Sequence, residues 1–322
     1  MIIVLSYNFY EQGTDPVIDW LLYYQVPFVN VSVEDLINGR GNFKVDVSQG
    51  RCYLDGVDIH DKIQVIYYRR FFRNLKYLPD LDLGHISKRI QIESNGEIEE
   101  FLEYLFFILQ NKVWLPKPQV QDVNKLIVSR VAFRQGFLTP ASIVTNNKVD
   151  LIDFYEQHRQ QVICKPINRI SYYTFSRYTY SAYTTSVTNE IIEQLPDHFF
   201  PSLFQSKVEA EYEVRVFYLD GQLYASAILV GQMERLVDIK QTYEDTDTHW
   251  VPYKFPPAIE SAIVELMNAL DLNTGSIDII VDKQQRFHFI EVNPVGQYKA
   301  PSFLCNYQVD KLIAEWLISK LN

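Results

Sequence analysis

Three oxygen-bearing side chains stand on two neighbouring predicted strands in the C-terminal part of the chain. Asp278 lies in GSIDIIVD, and Glu291 and Asn293 lie in RFHFIEVN. If the polar stretch 282–285 is a hairpin turn, antiparallel pairing places Asp278 opposite 289–291, and the two-residue period of a strand places Glu291 and Asn293 on one face. Magnesium takes oxygen ligands and usually binds one or two carboxylates together with nucleotide phosphates. The pattern therefore predicts that these three residues hold Mg²⁺.

The alternative is that the two acids carry no ligand. Asp278 would then be a solvated charge on a strand, and Glu291 would occupy an exposed alternate position, as most charged side chains do. The surrounding residues argue against this interpretation because both strands are apolar on both faces, with Ile279, Ile280, Val281, Phe289, Ile290 and Val292. A charge in such surroundings is costly unless it is paired or bound to a metal. We favour the metal site.

The sequence divides into three predicted domains, which determine where these residues stand. Residues 1–118 alternate short β-rich runs with helical patterns, which predicts α/β layering and a mostly parallel sheet. A proline-containing break precedes 119–203, where strands and helices predict a small α+β module with a lid. Residues 204–322 are strongly β-rich before a final apolar-striped helix, and they contain the predicted metal site. The expected fold class is thus α/β and α+β.

Local signals mark the ends of several elements. Asp15 before Pro16 indicates an N-cap followed by proline at the first helical position. Gly136 is placed to close a helix at the C′ position, and Asp220-Gly221 is a hairpin signal.

Composition excludes several classes of protein. The formal net charge of −10 at pH 7 disfavours binding to nucleic acid, which depends on a basic field. We expect no membrane partner, because no run approaches ~20 apolar residues and MIIVLSYNFY lacks the features of a signal peptide. The three cysteines, Cys52, Cys164 and Cys305, form no C-x-x-C motif, which fits a reducing, cytoplasmic location.

Several short runs occur in an order that is characteristic of a known superfamily. They are NKL (124–126), CKPI (164–167), FQSKVEAEYEVRVF (204–217), GSIDII (275–280) and FIEVNPVGQ (289–297). Together they resemble the landmarks of the ATP-grasp superfamily, and the N-terminal α/β segment is similar to the pre-ATP-grasp domain of such enzymes. The runs VIDWLLYY, VIYYRR, VPYKFPPAIE, LNTGSIDII and EVNPVGQ, with CNY shortly after, resemble graspetide synthetases of the microviridin and grasp-with-spasm types.

This resemblance covers nearly the full chain and implies an activity. Members of that family use ATP to phosphorylate an Asp or Glu side chain of a ribosomal precursor peptide. A Ser or Thr hydroxyl or a Lys amine of the same peptide then attacks, which forms an ω-ester or an ω-amide. The resemblance thus implies ATP and Mg²⁺ as cofactors, the leader and core of a precursor peptide as the partner, and a homodimer.

The resemblance also implies roles for residues that would bind the nucleotide. Lys125 and Lys165 match lysines that hold phosphates, a task suited to a point charge. Gln205, Lys207 and Val208 match the hinge over which adenine lies. Glu213 matches a carboxylate that binds ribose, and Arg215 matches an arginine at the γ-phosphate or the acyl phosphate. The alternatives are solvated surface lysines and an exposed pair of charges at Glu213 and Arg215.

Other matches concern the lid and the peptide. The 166–188 stretch has no glycine, unlike many ATP-grasp lids, and it is expected to form a lid or a peptide-facing hairpin that includes Tyr183 and Thr184, or else a tyrosine-rich core. Lys240 stands where relatives carry an arginine, so it keeps the charge of a catalytic clamp without its fork geometry. Arg69 and Arg70 match arginines that could hold an acidic peptide segment, whereas the alternative is a solvated strand edge.

Two other functions remain open from the sequence. One is an ATP-grasp carboxylate–amine ligase that acts on a free amino acid or a protein tail. The other is a non-catalytic ATP-binding regulator.

Overall fold

The computed structural model describes residues 1–7, 9–39, 42–71, 85–118, 123–168, 172–175, 178–181, 184–230 and 248–321. The chain folds into two compact units. The first comprises Met1–Gln121, Leu272–Thr274 and Gln297–Asn322, and the second comprises Asp122–Asp271 and Gly275–Gly296. Across the described residues, no helix is long and apolar enough to span a membrane.

The first unit is built on a parallel sheet. The strands of the unit are β1 (Ile2–Leu5), β2 (Phe28–Val31), β3 (Phe43–Asp46), β4 (Arg51–Leu54), β5 (Val57–Asp58), β6 (Val65–Tyr68) and β7 (Val113–Leu115). Four of them form a sheet in the order β2-β1-β6-β7, and all its pairings are parallel. This confirms the predicted parallel sheet. Every residue of β1 and β6 is buried, as expected where both faces of a parallel sheet are covered.

The helices of the first unit are α1 (Asp15–Tyr23), α2 (Val33–Asn38), α3 (His85–Ile108), and, from the C-terminal end of the chain, α8 (Lys299–Leu304) and α9 (Val309–Ser319). Helix α9 packs against α1, and the Tyr24 hydroxyl donates to Glu315 Oε1 at 2.8 Å. The C-terminal helices therefore belong to the same unit as the N-terminal sheet. The division into three domains at 118 and 203 stays a prediction.

One predicted helix start was wrong. The N-cap of α1 is Thr14, and Asp15 is already the first helical residue. The Thr14 hydroxyl donates to Glu11 Oε2 at 3.0 Å and lies 2.8 Å from Ser6 Oγ. The Asp15 carboxylate accepts from the backbone N–H of Glu11 at 2.7 Å. Asp15 thus stabilises the loop that precedes α1, although it lies within the helix itself. The Asp-Pro dipeptide alone does not predict this contact.

The second unit contains antiparallel sheets. Its strands are β8 (Ser142–Asn147), β9 (Val162–Lys165), β10 (Tyr172–Phe175), β11 (Tyr178–Ser181), β12 (Thr185–Ser186), β13 (His198–Ser206), β14 (Ala210–Leu219), β15 (Gln222–Val230), β16 (Thr248–Tyr253), β17 (Thr274–Asp282) and β18 (Phe287–Asn293). Its helices are α4 (Lys125–Arg134), α5 (Lys148–Gln157), α6 (Asn189–Gln194) and α7 (Pro257–Ala269).

Two sheets of the second unit carry predicted site residues. The first has the order β12-β9-β13-β8, with α5 and α6 supplying Leu151, Phe154 and Ile192 to its core. The second has the order β16-β15-β14-β17-β18. Its β14–β15 hairpin turns at Asp220 and Gly221, both with positive φ of 44° and 93°, as a two-residue turn of this kind requires.

Helix α4 begins at a predicted site residue, Lys125, and Asn124 caps it. The Asn124 side chain accepts hydrogen bonds from the backbone N–H groups of Leu126 at 2.9 Å and Ile127 at 3.3 Å. Such a cap stabilises the first turn of α4 and thereby fixes the backbone position from which the Lys125 side chain extends.

We expect Asn124→Ala to lower the free energy of unfolding by about 1 kcal/mol, because two backbone donors lose their acceptor. Asn124→Asp keeps a capping oxygen and serves as the matched control, with stability close to that of the wild type. Urea unfolding of the three proteins provides the measurement. Equal stability of the alanine variant and the wild type would show that the cap contributes nothing.

Candidate functional site

The β17–β18 hairpin sets the position of the two predicted metal carboxylates. Its register pairs Asp278 with Glu291 and Ser276 with Asn293, as the turn and the strand period predicted. The register shifts next to this pair, between Asp278 and Ile279. A bulge re-aims the side chains beside it and increases the local twist. Two carboxylates and an amide therefore stand on adjacent strands at the irregular end of the hairpin.

Asp278 is held by an arginine from the neighbouring strand β14. Arg215 Nε donates to Asp278 Oδ1, and Arg215 Nη2 donates to Oδ2, each at 2.8 Å. The side chains are 11% and 5% exposed, so both charges are nearly excluded from water. Two parallel charge-assisted bonds match the planar guanidinium to the carboxylate. Burial of these charges is therefore compatible with folding because each offsets the other.

A second cation lies next to Glu291. Lys125 Nζ is 3.7 Å from Glu291 Oε2, and both side chains are partly exposed. Helix α4, which begins at Lys125, packs against β18. The structure thus assembles two cations and two carboxylates from β14, β17, β18 and α4. Such a set has oxygen donors for a divalent metal and positive groups for phosphates.

The turn that follows β18 packs tightly onto β17. A Cβ atom on Gly296 would contact the Ser276 side chain and lie 2.9 Å from the Asn293 backbone oxygen. The Asn293 side-chain oxygen accepts from the Val295 backbone N–H at 3.2 Å. These contacts hold Asn293 at the end of its strand, beside the Asp278–Glu291 pair.

The metal prediction can be compared with the donor chemistry of the site. Over the part of the chain that the structure describes, no group of three His, Cys, Asp or Glu side chains is placed to hold a metal. Asp278, Glu291 and Asn293 offer hard oxygen donors, which fit an ion that keeps several waters and binds phosphates as well. The set does not fit zinc, which prefers nitrogen and sulfur donors in a closed shell.

The predicted nucleotide residues occupy both sheets of the second unit. Lys165 ends β9, and Gln205 is buried near the end of β13, where its Nε2 donates to Ser142 Oγ at 2.8 Å. The backbone N–H of Lys207 donates to Gln161 O at 2.8 Å. Lys207 and Val208 are half-buried in the short link between β13 and β14. Glu213 is buried two residues before Arg215, which places both on one face of β14.

Three further predicted residues, Arg69, Arg70 and Thr184, lie in parts of the chain that the structure describes. Arg69 and Arg70 lie in the first unit, beside Glu11. Thr184 is half-buried just before β12. Lys240 and Tyr183 lie outside the described residues, so their roles stay predictions.

A charged cluster at the hairpin turn was not identified from the sequence. Asp282 is buried at the end of β17, where it accepts from the backbone N–H groups of Gln284 at 3.0 Å and Arg286 at 2.9 Å. Its Oδ2 also lies 2.8 Å from both Arg286 Nε and His288 Nε2. A polar turn that opens with Asp and is followed by His six residues later is a weak signal for such a cluster.

These contacts change the acidity of the Asp282 carboxyl. Burial alone would raise its pKa, but the bonds from His288 and Arg286 outweigh burial and hold the pKa well below its usual value of 3.8. The carboxylate therefore stays ionised and fixes the turn that sets the register of Asp278 against Glu291.

Comparisons with known proteins bear on the whole chain. No protein-family model matches the sequence, and no curated protein matches it significantly. Solved structures do match. Macrocyclase MdnC from Microcystis aeruginosa MRC, solved with precursor peptide MdnA, has a TM-score of 0.79 at 22% identity over 99% of both chains. A RiPP-associated ATP-grasp ligase from Chryseobacterium gregarium, solved with ADP and a leader and core peptide, has a TM-score of 0.75 at 22% identity over 100% of this chain and 97% of that one.

The chain has the ATP-grasp fold. A third ATP-grasp ligase, PsnB, solved with a minimal precursor, Mg and ADP, has a TM-score of 0.76 at 15% identity over 99% of this chain and 96% of that chain. The ATP-grasp fold confirms the predicted fold class, and the matches extend over both units rather than over one of them.

The Arg215–Asp278 pair leads to a prediction about stability. Arg215→Met and Asp278→Asn should each lower the free energy of unfolding by about 3 kcal/mol, because each leaves a buried partner without its counter-charge. The double variant removes both partners and should be destabilised by clearly less than the sum of the two single effects. Urea unfolding of the four proteins gives the coupling energy. Additivity within about 0.5 kcal/mol would contradict a direct interaction.

The Asp282 cluster leads to a prediction about pH. Its folded pKa lies below its unfolded pKa, so its contribution to stability is present above about pH 4 and is lost as the pH falls further. Asp282→Asn should therefore lower Tm at pH 7 and make Tm less sensitive to pH between about 5 and 3. Asp153→Asn, an exposed change on α5, is the control. Parallel Tm curves for the Asp282 variant and the wild type would contradict this role.

Proposed function

We propose that this protein is an ATP- and Mg²⁺-dependent ligase that activates Asp or Glu side chains of a ribosomal precursor peptide. It joins each activated carboxyl to a Ser or Thr hydroxyl as an ω-ester, or to a Lys amine as an ω-amide. The observation that carries the proposal is the cluster of Arg215, Asp278, Glu291 and Lys125 on an ATP-grasp fold. Support also comes from structural neighbours, matched over at least 96% of their length, that were solved with a precursor peptide or with a leader and core peptide.

The carboxylates of the cluster have the metal-binding role. Asp278, Glu291 and Asn293 would hold Mg²⁺ through oxygen atoms, with phosphate oxygens and water completing its coordination. Arg215 would turn part of its guanidinium from Asp278 toward a phosphoryl oxygen, since its fork offers five N–H donors. Lys125 and Lys165 would contribute point charges to the same phosphates. When the nucleotide and the metal bind, the carboxylates of the Arg215–Asp278 and Lys125–Glu291 pairs would contact the metal, and the cations would contact the phosphates.

The remaining nucleotide contacts follow from the strand positions. Gln205, Lys207 and Val208 would line the adenine, with backbone groups reading its edge and Val208 packing on its face. Glu213 would accept hydrogen bonds from the ribose hydroxyls. Its position on the same strand face as Arg215 suits the order of ribose and phosphates along one nucleotide.

The chemical problem is the approach of a carboxylate to a phosphate, because both are negative. The peptide carboxylate would attack the γ-phosphorus of ATP, so that the bond to the β-phosphate oxygen breaks, ADP leaves and an acyl phosphate forms. Mg²⁺ would offset the accumulating negative charge. Arg215 would stabilise the transferring oxygens and, with Lys240, the acyl phosphate. A peptide hydroxyl or amine then attacks the carbonyl carbon, inorganic phosphate leaves, and the attacking group loses its proton. Each cross-link therefore removes one water from the peptide.

The partner and setting follow from the same proposal. The peptide would present a leader and a core, and Arg69, Arg70, Tyr183 and Thr184 are the residues proposed to face it. We propose a cytoplasmic homodimer. The free thiols of Cys52, Cys164 and Cys305 support a reducing location.

The proposal is tested with the purified protein, ATP, Mg²⁺ and the peptide encoded next to it. Mass spectrometry should show loss of one water per cross-link. Glu291→Gln should slow this reaction by about 100-fold or more, because a metal ligand and a charge near the transferring group are lost. Glu265→Gln, an exposed change on α7, is the matched control and should react like the wild type.

Other outcomes point to the other functions. An unchanged peptide mass together with ATP turnover on free amino acids would contradict the peptide substrate and favour a carboxylate–amine ligase. A Glu291→Gln protein that preserves the biological role of the wild type would favour a non-catalytic regulator.

A further inference from the structure

A buried serine lies on the same sheet as the carboxylates of the candidate site. Ser226 stands in the middle of β15 and is 0% exposed. The register of the β14–β15 hairpin pairs it directly with Arg215. Residues that are directly opposite in an antiparallel pair point to the same face of the sheet, with Cβ atoms about 4.5–5.5 Å apart. Ser226 therefore stands beside the arginine that binds Asp278, on the same face.

The hydroxyl group of Ser226 has an uncommon environment. Its Oγ atom is shielded from water, and it has no hydrogen-bond partner among the residues that the structure describes. On the side away from β14, the register pairs Ser226 with Pro252 of β16, whose side chain has no polar atom. A buried hydroxyl that forms no hydrogen bond costs free energy, and most buried polar groups in proteins have a partner. The contacts within the described part of the chain thus give this hydroxyl no structural role.

Alanine would fill the same position without this cost, because it differs from serine only by the missing hydroxyl oxygen. The neighbours of Ser226 along the strand are Ala225 and Ala227, which are also buried and point to the opposite face. Strand β15 thus already contains alanine on either side of this position. A polar group that lowers the stability of the fold is typical of a functional site.

Arg215 lies between two groups that can accept its hydrogen bonds. Its strand, β14, has β15 on one side and β17 on the other. On the β17 side, Nε and Nη2 of Arg215 donate to Asp278. On the β15 side stands Ser226, whose hydroxyl oxygen has two lone pairs that can accept. Arg215 already extends sideways across the sheet to reach the neighbouring strand, so rotation of its side chain would carry the guanidinium toward β15.

We propose that Ser226 is a positioning residue for Arg215, and that its hydroxyl accepts one guanidinium N–H when Asp278 binds the metal. The proposal rests on the proposed function, in which Asp278 binds Mg²⁺ and Arg215 turns to a phosphoryl oxygen. A guanidinium that leaves a carboxylate needs another acceptor for the N–H groups that do not reach the phosphate. Ser226 supplies this acceptor and orients the remaining N–H donors toward the γ-phosphoryl group.

The first measurement concerns stability. Ser226→Ala should unfold at the same temperature as the wild type or at a higher one, because it removes a buried hydroxyl that has no partner in the described part of the fold. Differential scanning calorimetry of the two proteins measures this difference. A fall in Tm of more than about 2 °C would show that the hydroxyl stabilises the fold, and it would contradict the proposal.

The second measurement compares two nucleotides that differ at the γ position. Isothermal titration of the full-length protein measures the affinities for MgADP and for MgAMPPNP, a non-hydrolysable analogue of MgATP. Ser226→Ala should weaken MgAMPPNP by about tenfold and MgADP by less than about twofold, because only AMPPNP has the γ-phosphoryl group that Arg215 would contact. Ser226→Thr keeps the hydroxyl and should retain most of the MgAMPPNP affinity. Ser261→Ala, an exposed change on α7, is the matched control and should bind both nucleotides like the wild type.

A double-mutant cycle with Arg215 distinguishes positioning from a direct contact between Ser226 and the nucleotide. In an Arg215→Met background, Ser226→Ala should change the MgAMPPNP affinity by less than about twofold, since the group that Ser226 positions is already absent. If the methionine variant does not fold, the comparison of the two nucleotides in the Ser226→Ala protein still decides whether the hydroxyl acts at the γ position.

Three results would overturn the role of Ser226. They are equal losses of affinity for MgADP and MgAMPPNP in Ser226→Ala, an unchanged MgAMPPNP affinity of that variant, and a tenfold loss that persists in a folded Arg215→Met background. Wild-type protein separates this role from the proposed function. If the wild type binds both nucleotides and Ser226→Ala binds them equally well, the role of Ser226 alone is contradicted, whereas a wild type that binds neither nucleotide would contradict the proposed function.

Discussion

Charge that is buried on a sheet must be compensated, and this constraint organises the candidate site. Asp278 is buried between Ile277 and Ile279 on β17, and its carboxylate is tolerated there because the Arg215 guanidinium on β14 binds both of its oxygens. Glu291 faces Asp278 across the ladder and has Lys125 as its own cation. Each carboxylate thus has a cation nearby, and a metal with phosphates can replace these contacts without leaving a buried charge uncompensated.

The supporting elements act by keeping these four groups in register. Asp282 fixes the turn between β17 and β18 through hydrogen bonds to backbone and side chains. Gly296 allows the turn after β18 to pack onto Ser276. Asn124 fixes the first turn of α4. A slip of one residue in the hairpin would send Glu291 to the opposite face of the sheet. The contacts of Asp282, Gly296 and Asn124 are therefore needed to keep the four charged groups together.

The sequence predicted those features that local periodicity controls. The hairpin register, the parallel N-terminal sheet and the Asp220-Gly221 turn follow from strand alternation and turn chemistry. Contacts between distant segments did not follow. Arg215 and Asp278 are 63 residues apart, and nothing local shows that β14 lies beside β17. The hydroxyl of Thr14, the N-cap residue of α1, bonds with Ser6 and Glu11 rather than with the helix, and local capping signals do not show these contacts. The roles of Arg69, Arg70, Lys240 and Tyr183 were predicted from resemblance alone and stay predictions.

The central claim is that the carboxylates of β17 and β18 bind Mg²⁺ together with a nucleotide. Titration of ADP in the presence and absence of Mg²⁺ tests it without a peptide. We expect Mg²⁺ to raise the ADP affinity of the wild type by about tenfold or more, and Glu291→Gln to remove most of this coupling. An ADP affinity of the wild-type protein that is the same with and without Mg²⁺ would contradict a metal site on β17 and β18.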